Sequence, residues 1–586
     1  MNDQAAADAA PAGDSTTAST GSDERRGSGR QAIVIVHGMG EQRPLETLRS
    51  FVEAVWGGKT VPGDATSHND MWLVPDTRAG LKELARVTTR QVHGVATDFY
   101  ELYWADKLTG NTLAQFNAWL RGLLLRWPHQ VPRETAGLWL ALWLLTLAVV
   151  AVVLWVGKDA SWQGLFKLAT NKEPAPGLRI WGSIALAAGL LALSFWWLRT
   201  SLEDWATAGM RFFGTWQDQS AKEASLPVAL SWAACLLLPA VIGVLAYFWF
   251  PWASLASAKG AATLAAIAIT AALTGWVVPV LGDVARYVRT SPDAVSARSA
   301  IRERGLELLR ALHGPRRDVR TFDDSFGDER PYDRVVVVGH SLGSIIAYDI
   351  LRLFWQERGP TSVNPPDAAT TAALVAIDAY CRECRRGNLP FEPGEYRRLQ
   401  AAVSEALQGQ PGSWRVTDFV TLGSPLSHAE FLISRDRHAF EQRKAERLFP
   451  VCPPMLEPER ESFLYSGRDG SGPFANHAAL FSATRWANIF DAPFLGVFGD
   501  YISGPCRSNF GPGVVDVAIR LRRRGLFSRV ITHTNYWDET ARGEVRDEAW
   551  KVLSDKPLDD PNRSHISVLR IAMGLKRRVR AATAGS

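Results

Sequence analysis

The chain has 586 residues and a formal net charge of +5; 47% of its residues are hydrophobic and 21% are charged. This length and apolar content exclude a chain that is disordered throughout, and they leave room for more than one ordinary domain. Five scattered cysteines exclude a disulfide framework, and the small positive surplus, with no tract of Lys or Arg, predicts no nucleic-acid partner.

The first structured element follows a polar N-terminal segment. Residues 1–30 are mostly Ala, Ser, Thr, Gly and Asp without apolar periodicity, which predicts a disordered tail, and they contain no apolar core of a secretory signal. The β-branched run from Ala32 to Val36 predicts a strand covered on both faces, as in a parallel sheet. A helix at 45–55 and strands at 71–74 and 96–103 are predicted next.

Residues 116–290 have the composition of a membrane insert. They contain four long stretches without a charged residue, at 136–157, 180–198, 226–250 and 260–282. Each is close to the roughly 20 residues that a helix needs to cross a bilayer. Thirteen of the 23 tryptophans lie between Trp139 and Trp276, and Trp is enriched where helices meet the membrane surface. We therefore predict four transmembrane helices in this region.

The charges that flank these stretches predict an orientation. Ten Lys and Arg residues flank the insert on the side of the two termini and five flank it on the opposite side. Because positively charged flanks stay in the cytoplasm, we expect a multi-pass inner-membrane or plasma-membrane protein whose termini and catalytic part are cytoplasmic.

Strands and helices alternate again after the insert. A helix is predicted at 294–313, and a buried strand at 334–338 leads into a second helix at 342–355. Further strands are predicted at 418–422, 485–490 and 529–532. This alternation is typical of an α/β fold with a mainly parallel sheet and helices on both faces. Two segments, 31–115 and 291–586, would form this domain around the insert.

The sequence Gly339-His340-Ser341-Leu342-Gly343 predicts a catalytic nucleophile. It comes directly after four valines and directly before an apolar helix, the context in which a Gly-x-Ser-x-Gly motif forms a nucleophile elbow. The tight turn would lift the Ser341 hydroxyl above the sheet, with the helix N-terminus facing the anion that develops during acyl transfer.

Two backbone N–H groups are needed to stabilise that oxyanion. One is expected from Leu342, the residue after the nucleophile. The second should come from the glycine-rich loop after the first strand, where Met39 is our assignment and Gly38 is the alternative.

These motifs resemble the α/β-hydrolase superfamily, and within it the lipase-like serine hydrolases. The resemblance is carried by residues 33–40, 339–343, 420–425 and 533–537, and it covers about 31–115 and 295–555. It implies a Ser, Asp and His triad in that chain order.

The resemblance places the general base after the last strand. His533 follows the predicted strand at 529–532 and precedes the aromatic pair Tyr536-Trp537, so we assign it this role. We interpret His340, His428 and His477 as structural residues.

Two aspartates compete for the role of triad acid. Asp491 directly follows the predicted strand at 485–490, where the resemblance places an acid. Asp500 lies in Gly499-Asp500-Tyr501-Ile502-Ser503-Gly504, a segment similar to the acid-bearing segment of related lipase-like sequences. Asp500 is preferred, and Asp491 remains the alternative.

No metal or cofactor is predicted. Cys381 and Cys384 form a single Cys-x-x-Cys pair without a partner pair at zinc-ligand spacing. The Asp323-Asp324 and Asp559-Asp560 pairs occur in polar loops, where carboxylates are usually solvated.

The resulting hypothesis is a membrane-anchored serine hydrolase that cleaves a carboxylic ester through an acyl-enzyme on Ser341. Its location would favour acyl lipids as substrates and membrane lipids as partners. The alternatives are a non-catalytic membrane scaffold that binds a partner protein and an acyltransferase that uses the same triad. Fold resemblance does not decide among them.

Overall fold

The structure is a computed structural model that describes the chain in segments. These are residues 29–38, 44–56, 71–75, 85–89, 95–107, 292–314, 331–410, 412–434, 436–491, 499–500, 502–522, 532–538, 540–553 and 564–575, with the single positions 131, 139, 143, 287 and 288. Met39, the first choice for the second oxyanion donor, lies outside them.

The strands and helices are numbered in chain order. The strands are β1 (Gly29–Val36), β2 (Met71–Pro75), β3 (Ala85–Thr89), β4 (Val95–Leu102), β5 (Arg334–His340), β6 (Val416–Leu422), β7 (Leu464–Tyr465), β8 (Phe474–Ala475), β9 (Arg485–Asp491), β10 (Val515–Arg522) and β11 (Arg542–Val545). The helices are α1 (Glu46–Val55), α2 (Pro292–His313), α3 (Leu342–Arg358), α4 (Ala368–Arg385), α5 (Pro393–Gln408), α6 (Ala429–Leu432), α7 (Arg437–Ala445), α8 (Arg507–Phe510) and α9 (His565–Ala572).

Nine of these strands form one mixed sheet, in the order β11-β10-β9-β6-β5-β1-β4-β3-β2. The six strands from β10 to β4 are parallel to one another. The outer strands, β11 on one side and β3 and β2 on the other, pair antiparallel. The carboxyl ends of β1, β5, β6 and β9 therefore lie at the same edge of the sheet, where ligands bind in α/β proteins.

The sheet is covered on both faces, as its β-branched strands require. Ala32, Val34 and Val36 of β1 pack into a core with α2, α3, α4 and α5. The alternating residues Ile33 and Ile35 pack into a second core with α1 and α9. Alternate side chains of one strand point to opposite faces, so a single buried run supplies both cores.

The α/β architecture predicted from the sequence is present, with differences at individual strands. The strands near 71–74, 96–103, 334–338, 418–422 and 485–490 correspond to β2, β4, β5, β6 and β9. The strand predicted at 529–532 lies outside the described residues except for Thr532, which is not in a strand. The strands β3, β7, β8, β10 and β11 have no counterpart among the strands predicted from the sequence.

The predicted membrane insert is not supported. Among the described residues, no helix combines the length and the apolar composition needed to cross a bilayer. The two longest, α2 with 22 residues and α4 with 18, both carry charged side chains within their sequences, whereas a spanning helix needs about 20 predominantly apolar residues.

This finding contradicts both the four-helix transmembrane insert in the predicted fold class and the multi-pass membrane location, and we correct both. The stretches behind them, 136–157, 180–198, 226–250 and 260–282, lie outside the described residues apart from positions 139 and 143. Long apolar segments also occur where a helix is buried against other protein, so length and composition alone were an insufficient basis for the prediction.

Candidate active site

Ser341 forms the turn between β5, which ends at His340, and α3, which begins at Leu342. Its backbone angles are φ 53° and ψ −129°. Non-glycine residues rarely adopt a positive φ, and holding one in such a conformation costs on the order of 1–3 kcal/mol. The surrounding fold therefore maintains a strained serine at the carboxyl edge of the sheet.

The two glycines of the elbow are required by close backbone contacts. A Cβ atom on Gly339 would lie 2.6 Å from the Cα of Ser344, and one on Gly343 would lie 2.2 Å from the carbonyl oxygen of Val36. Any larger residue at either position would separate α3 from the sheet. The sequence motif thus has a steric cause in this fold.

A chain of hydroxyl groups beneath the elbow holds its shape. The Leu426 N–H donates to Ser424 Oγ at 3.2 Å, and Ser424 and Ser344 are joined through their hydroxyls at 2.6 Å. Ser344 Oγ in turn donates to the carbonyl oxygen of Ser341 at 2.6 Å. Since that last bond uses the Ser344 proton, Ser424 donates to Ser344. Ser344 and Ser424 are fully buried, so these bonds are shielded from water.

Ser341, His533 and Asp500 form a continuous hydrogen-bonded chain, which we call the candidate triad. His533 Nδ1 lies 2.9 Å from Asp500 Oδ2, and His533 Nε2 lies 2.7 Å from Ser341 Oγ. Because an ionised carboxylate can only accept, Nδ1 carries the proton and Nε2 is left to accept from the Ser341 hydroxyl. The arrangement places a base directly on the serine proton.

The environment of Asp500 keeps it ionised. Its side chain is almost fully buried, which by itself would raise the pKa of the carboxyl. His533, the Tyr536 hydroxyl at 2.8 Å and the Ile502 N–H at 2.9 Å outweigh that effect and lower the pKa to about 2. A carboxylate held by three donors can orient and stabilise a histidine that gains a proton.

Asp491, the alternative acid, has a different position and environment. It ends β9, and its Oδ2 accepts from the Thr532 hydroxyl at 2.7 Å, one residue before His533. Burial raises the pKa of Asp491 to about 6. Its carbonyl oxygen accepts from the Asp500 N–H at 3.1 Å. Asp491 thus supports the backbone of the segment that carries Asp500, and Asp500 is the carboxylate bonded to His533.

Gly423 and Tyr536 enclose the far side of the candidate triad. Gly423 follows β6 with φ +57°, and a Cβ there would lie 2.6 Å from the Tyr536 ring and 3.2 Å from both Asp500 Oδ2 and His533 Nδ1. The Tyr536 hydroxyl donates to Asp500 and accepts from the backbone N–H of Asp491 at 3.1 Å. Only a residue without a side chain fits between these groups.

The opposite side of Ser341 is formed by the two proposed oxyanion elements. Leu342 is the first residue of α3, and N–H groups in the first turn of a helix have no partner within the helix. A Cβ on Gly38 would lie 3.1 Å from Ser341 Cβ, so the start of the segment after β1 passes directly beside Ser341. Met39, the next residue in the sequence, lies outside the described residues.

His37 fixes the start of this loop. Its Nε2 accepts from the Trp104 N–H at 3.2 Å, so Nδ1 is protonated and donates to the Gly38 carbonyl at 2.9 Å. The ring stacks on Trp104 with centroids 4.7 Å apart. Burial lowers the pKa of His37 to about 4, so the ring is neutral at neutral pH and keeps only the Nδ1 proton. Trp104 is itself fully buried, so this stacked pair is part of the protein core.

Sequence reasoning missed the roles of Gly423, Thr532 and the Tyr536 hydroxyl. Gly423 follows a strand at the same edge as Ser341, so its sequence position was informative. Tyr536 was noted only as an aromatic neighbour of His533. Its bond to Asp500 joins positions 36 residues apart, and nothing in the local sequence indicates that pairing.

Within the described part of the chain, no group of three or more His, Cys, Asp or Glu side chains is arranged to hold a metal ion. Comparisons with protein-family models, curated proteins and solved structures found no match.

Proposed function

We propose that this protein is a serine hydrolase that cleaves a carboxylic ester, or a related acyl group, through an acyl-enzyme on Ser341. The observation that carries this proposal is the unbroken chain from Asp500 through His533 to a serine held at φ 53°. A buried structural turn has no need of a strained serine whose hydroxyl proton points at a histidine.

In the first half of the reaction, Ser341 Oγ attacks the acyl carbon. His533 Nε2 takes the hydroxyl proton as the bond forms, and the resulting imidazolium is stabilised by Asp500 through Nδ1. His533 then gives the proton to the leaving alcohol, which departs as the acyl-enzyme forms. Asp500 remains ionised because His533, Tyr536 and Ile502 keep the pKa of its carboxyl low.

The second half repeats these steps with water as the nucleophile. His533 removes a proton from water, water attacks the ester of Ser341, and the proton returns to Ser341 Oγ as the acid leaves. The negative oxygen in both halves would be stabilised by the Leu342 N–H at the start of α3 and by a second donor, Met39 or Gly38, in the loop after β1. Removing one such donor typically costs about 10²–10³-fold in turnover.

The order of strands supports membership of the α/β-hydrolase superfamily as part of this proposal. The loop beside the nucleophile follows β1, the nucleophile follows β5, and these two strands are adjacent and parallel. The acid follows β9 and the base occurs later in the chain, in the order that the sequence resemblance implies. A preference for acyl lipids had its basis in the membrane location and loses that support.

The proposal is tested by labelling the full-length protein with a fluorophosphonate, which reacts with serines that are activated by a base. We expect the wild type to label and Ser341→Ala to be unlabelled. Ser508→Ala is the matched control, because this exposed serine of α8 lies outside the candidate triad. A folded wild type that does not label would overturn the proposal and favour a binding protein that retains the elbow as architecture.

A further inference from the structure

His340 makes a contact that its interpretation as a structural residue does not explain. It is the last residue of β5 and directly precedes Ser341. Its Nε2 lies 2.9 Å from the main-chain carbonyl oxygen of His533. Because a carbonyl oxygen can only accept, Nε2 carries the proton and donates to it. The nucleophile turn is therefore bonded directly to the backbone of the base.

The ring of His340 fills the space between two loops. On one side its centroid lies 5.1 Å from that of His533, and 4.8 Å from that of Trp537 in an edge-to-face arrangement. On the other side, a Cβ on Gly38 would come within 2.7 Å of His340 Nδ1. His340 thus separates the loop after β1 from the segment that carries the base, and it sets the spacing of both from Ser341.

His533 depends on such contacts because it lies in a turn and not in a helix or strand. Residues 532–538 form turns, and Asn535 N–H donates to the Thr532 carbonyl at 2.9 Å within them. Thr532 is bonded to Asp491 and Tyr536 to Asp500 through their side chains. The bond from His340 holds the main chain at the catalytic position itself, where rotation would move Nε2 away from Ser341.

We propose that His340 is a positioning residue that fixes the main chain of His533 and thereby keeps Nε2 in line with the Ser341 hydroxyl. This inference rests on the proposed function and adds a residue to it. His340 does not touch the reacting atoms; it acts through His533.

The protonation of His340 suits this role. Burial, together with the nearby His533, lowers its pKa to about 3. The ring is therefore neutral at neutral pH, and it places no fixed positive charge beside a base that becomes positively charged during the reaction.

Three variants of the full-length protein separate the hydrogen bond from packing. His340→Phe keeps an aromatic ring and removes the donor, while His340→Gln keeps an N–H donor at about the same reach as Nε2. His313→Phe is the matched control. His313 is also buried, is bonded to a carbonyl oxygen (Leu309) at 2.7 Å and contacts aromatic rings, but it lies in the core around α2.

The readouts are the fluorophosphonate labelling rate, kcat and KM for p-nitrophenyl butyrate, and the melting temperature. We expect His340→Phe to label about 10–100-fold more slowly and to lose kcat with little change in KM, since a misplaced base impairs the chemical step. His340→Gln should recover most of the rate, and His313→Phe should lower the melting temperature without slowing the labelling rate of the folded protein.

Labelling of His340→Phe at the wild-type rate would overturn the inference. Equal slowing of His340→Phe and His340→Gln would overturn it too, because the ring and not the N–H would then be responsible. If the folded wild type remained as unlabelled as Ser341→Ala, the proposed function itself would be overturned. This result is distinct from the other two.

Discussion

Two buried aspartates lie at opposite ends of the parallel strands, one at the amino edge of the sheet and one at the carboxyl edge. Different kinds of partner stabilise them. Asp418 lies near the start of β6, at the amino edge where the parallel strands begin. Asp500 lies at the carboxyl edge beside Ser341. Both are almost fully buried, and in both the pKa is lowered in spite of burial. The difference lies in whether the balancing positive charge is permanent.

At the amino edge the positive charges are arginines. Arg334 Nη2 and Arg485 Nη2 donate to Asp418 Oδ2 at 2.6 and 2.8 Å, and Arg397 Nη2 lies 4.0 Å from Oδ1. These guanidinium groups are charged at every physiological pH. The cluster ties the starts of β5, β6 and β9 together in one fixed state.

At the carboxyl edge the balancing positive charge would exist only during the proposed reaction, while His533 holds the serine proton. Asp500 faces His533, which in the resting site donates from Nδ1 and accepts at Nε2. The strain at Ser341 is also confined to this edge of β5. The comparison indicates that one end of the sheet provides stability while the other holds groups that change charge, as expected when a rigid scaffold positions a reactive site.

The largest expected effect comes from removing the charge of Asp500. Asp500→Asn should lower turnover by about 10⁴-fold, because an amide at this position can donate to Nδ1 and favour the wrong His533 tautomer. Asp491→Asn is the matched control, since its carboxyl is bonded to Thr532 and not to His533. We expect less than about a tenfold loss for the control, measured as kcat/KM for p-nitrophenyl butyrate.

Comparable losses in these two variants would contradict the assignment of Asp500 as the acid. They would mean that the carboxyls of Asp500 and Asp491 act together, so that neither could be assigned alone as the triad acid. The melting temperature of each variant shows whether a loss of activity reflects unfolding.

The second prediction concerns the amino edge. Asp418→Asn should lower the free energy of unfolding by about 3 kcal/mol at pH 7, because it leaves three guanidinium groups without their shared anion. Folded protein should keep its fluorophosphonate labelling rate, since the cluster lies at the edge opposite Ser341. Urea denaturation at pH 7 measures the first effect, and labelling below the transition measures the second.

The same cluster predicts an acid dependence. A lowered folded-state pKa means that the contribution of Asp418 is present above the unfolded-state value of about 4 and is lost as the pH falls through the folded-state value. The difference between wild type and Asp418→Asn should therefore shrink as the pH falls below about 4. A slower labelling rate in folded Asp418→Asn at pH 7 would show that the two edges are coupled and do not act separately.

The features that could be predicted from the sequence are those specified by residues close together in the chain. The valines before Ser341 and the glycines around it specify a strand, a turn and a helix within ten positions, and the structure has all three. The strand β10 was not predicted, although its burial alternates along Val515–Arg522 as expected for a strand with one polar face.

The details of the site could be predicted only in part, because they depend on contacts between distant residues. His533 was found from its place in the chain, and Asp500 was preferred to Asp491 by similarity of a short segment. The bonds of Tyr536 to Asp500 and of His340 to His533 join residues 36 and 193 positions apart. The prediction of transmembrane helices was wrong because it rested on the length and composition of the uncharged stretches. Neither property shows what packs against such a segment.

Asp491 provides the smallest predicted effect and the sharpest contrast with Asp418. Burial raises its pKa to about 6, so its charged form is disfavoured in the folded state, whereas that of Asp418 is favoured. A raised pKa means that the contribution of Asp491 to folding is present below about pH 4 and is lost as the pH rises through about 6. Asp491→Asn should therefore have a free energy of unfolding roughly 2–3 kcal/mol higher than that of wild type at pH 7.5, with no gain near pH 4. Urea denaturation at the two pH values decides this.

An equal gain in the free energy of unfolding at both pH values would show that the amide packs better, and not that removal of a charge is responsible. Asp491 would then belong with the fixed scaffold instead of the titrating groups around Ser341.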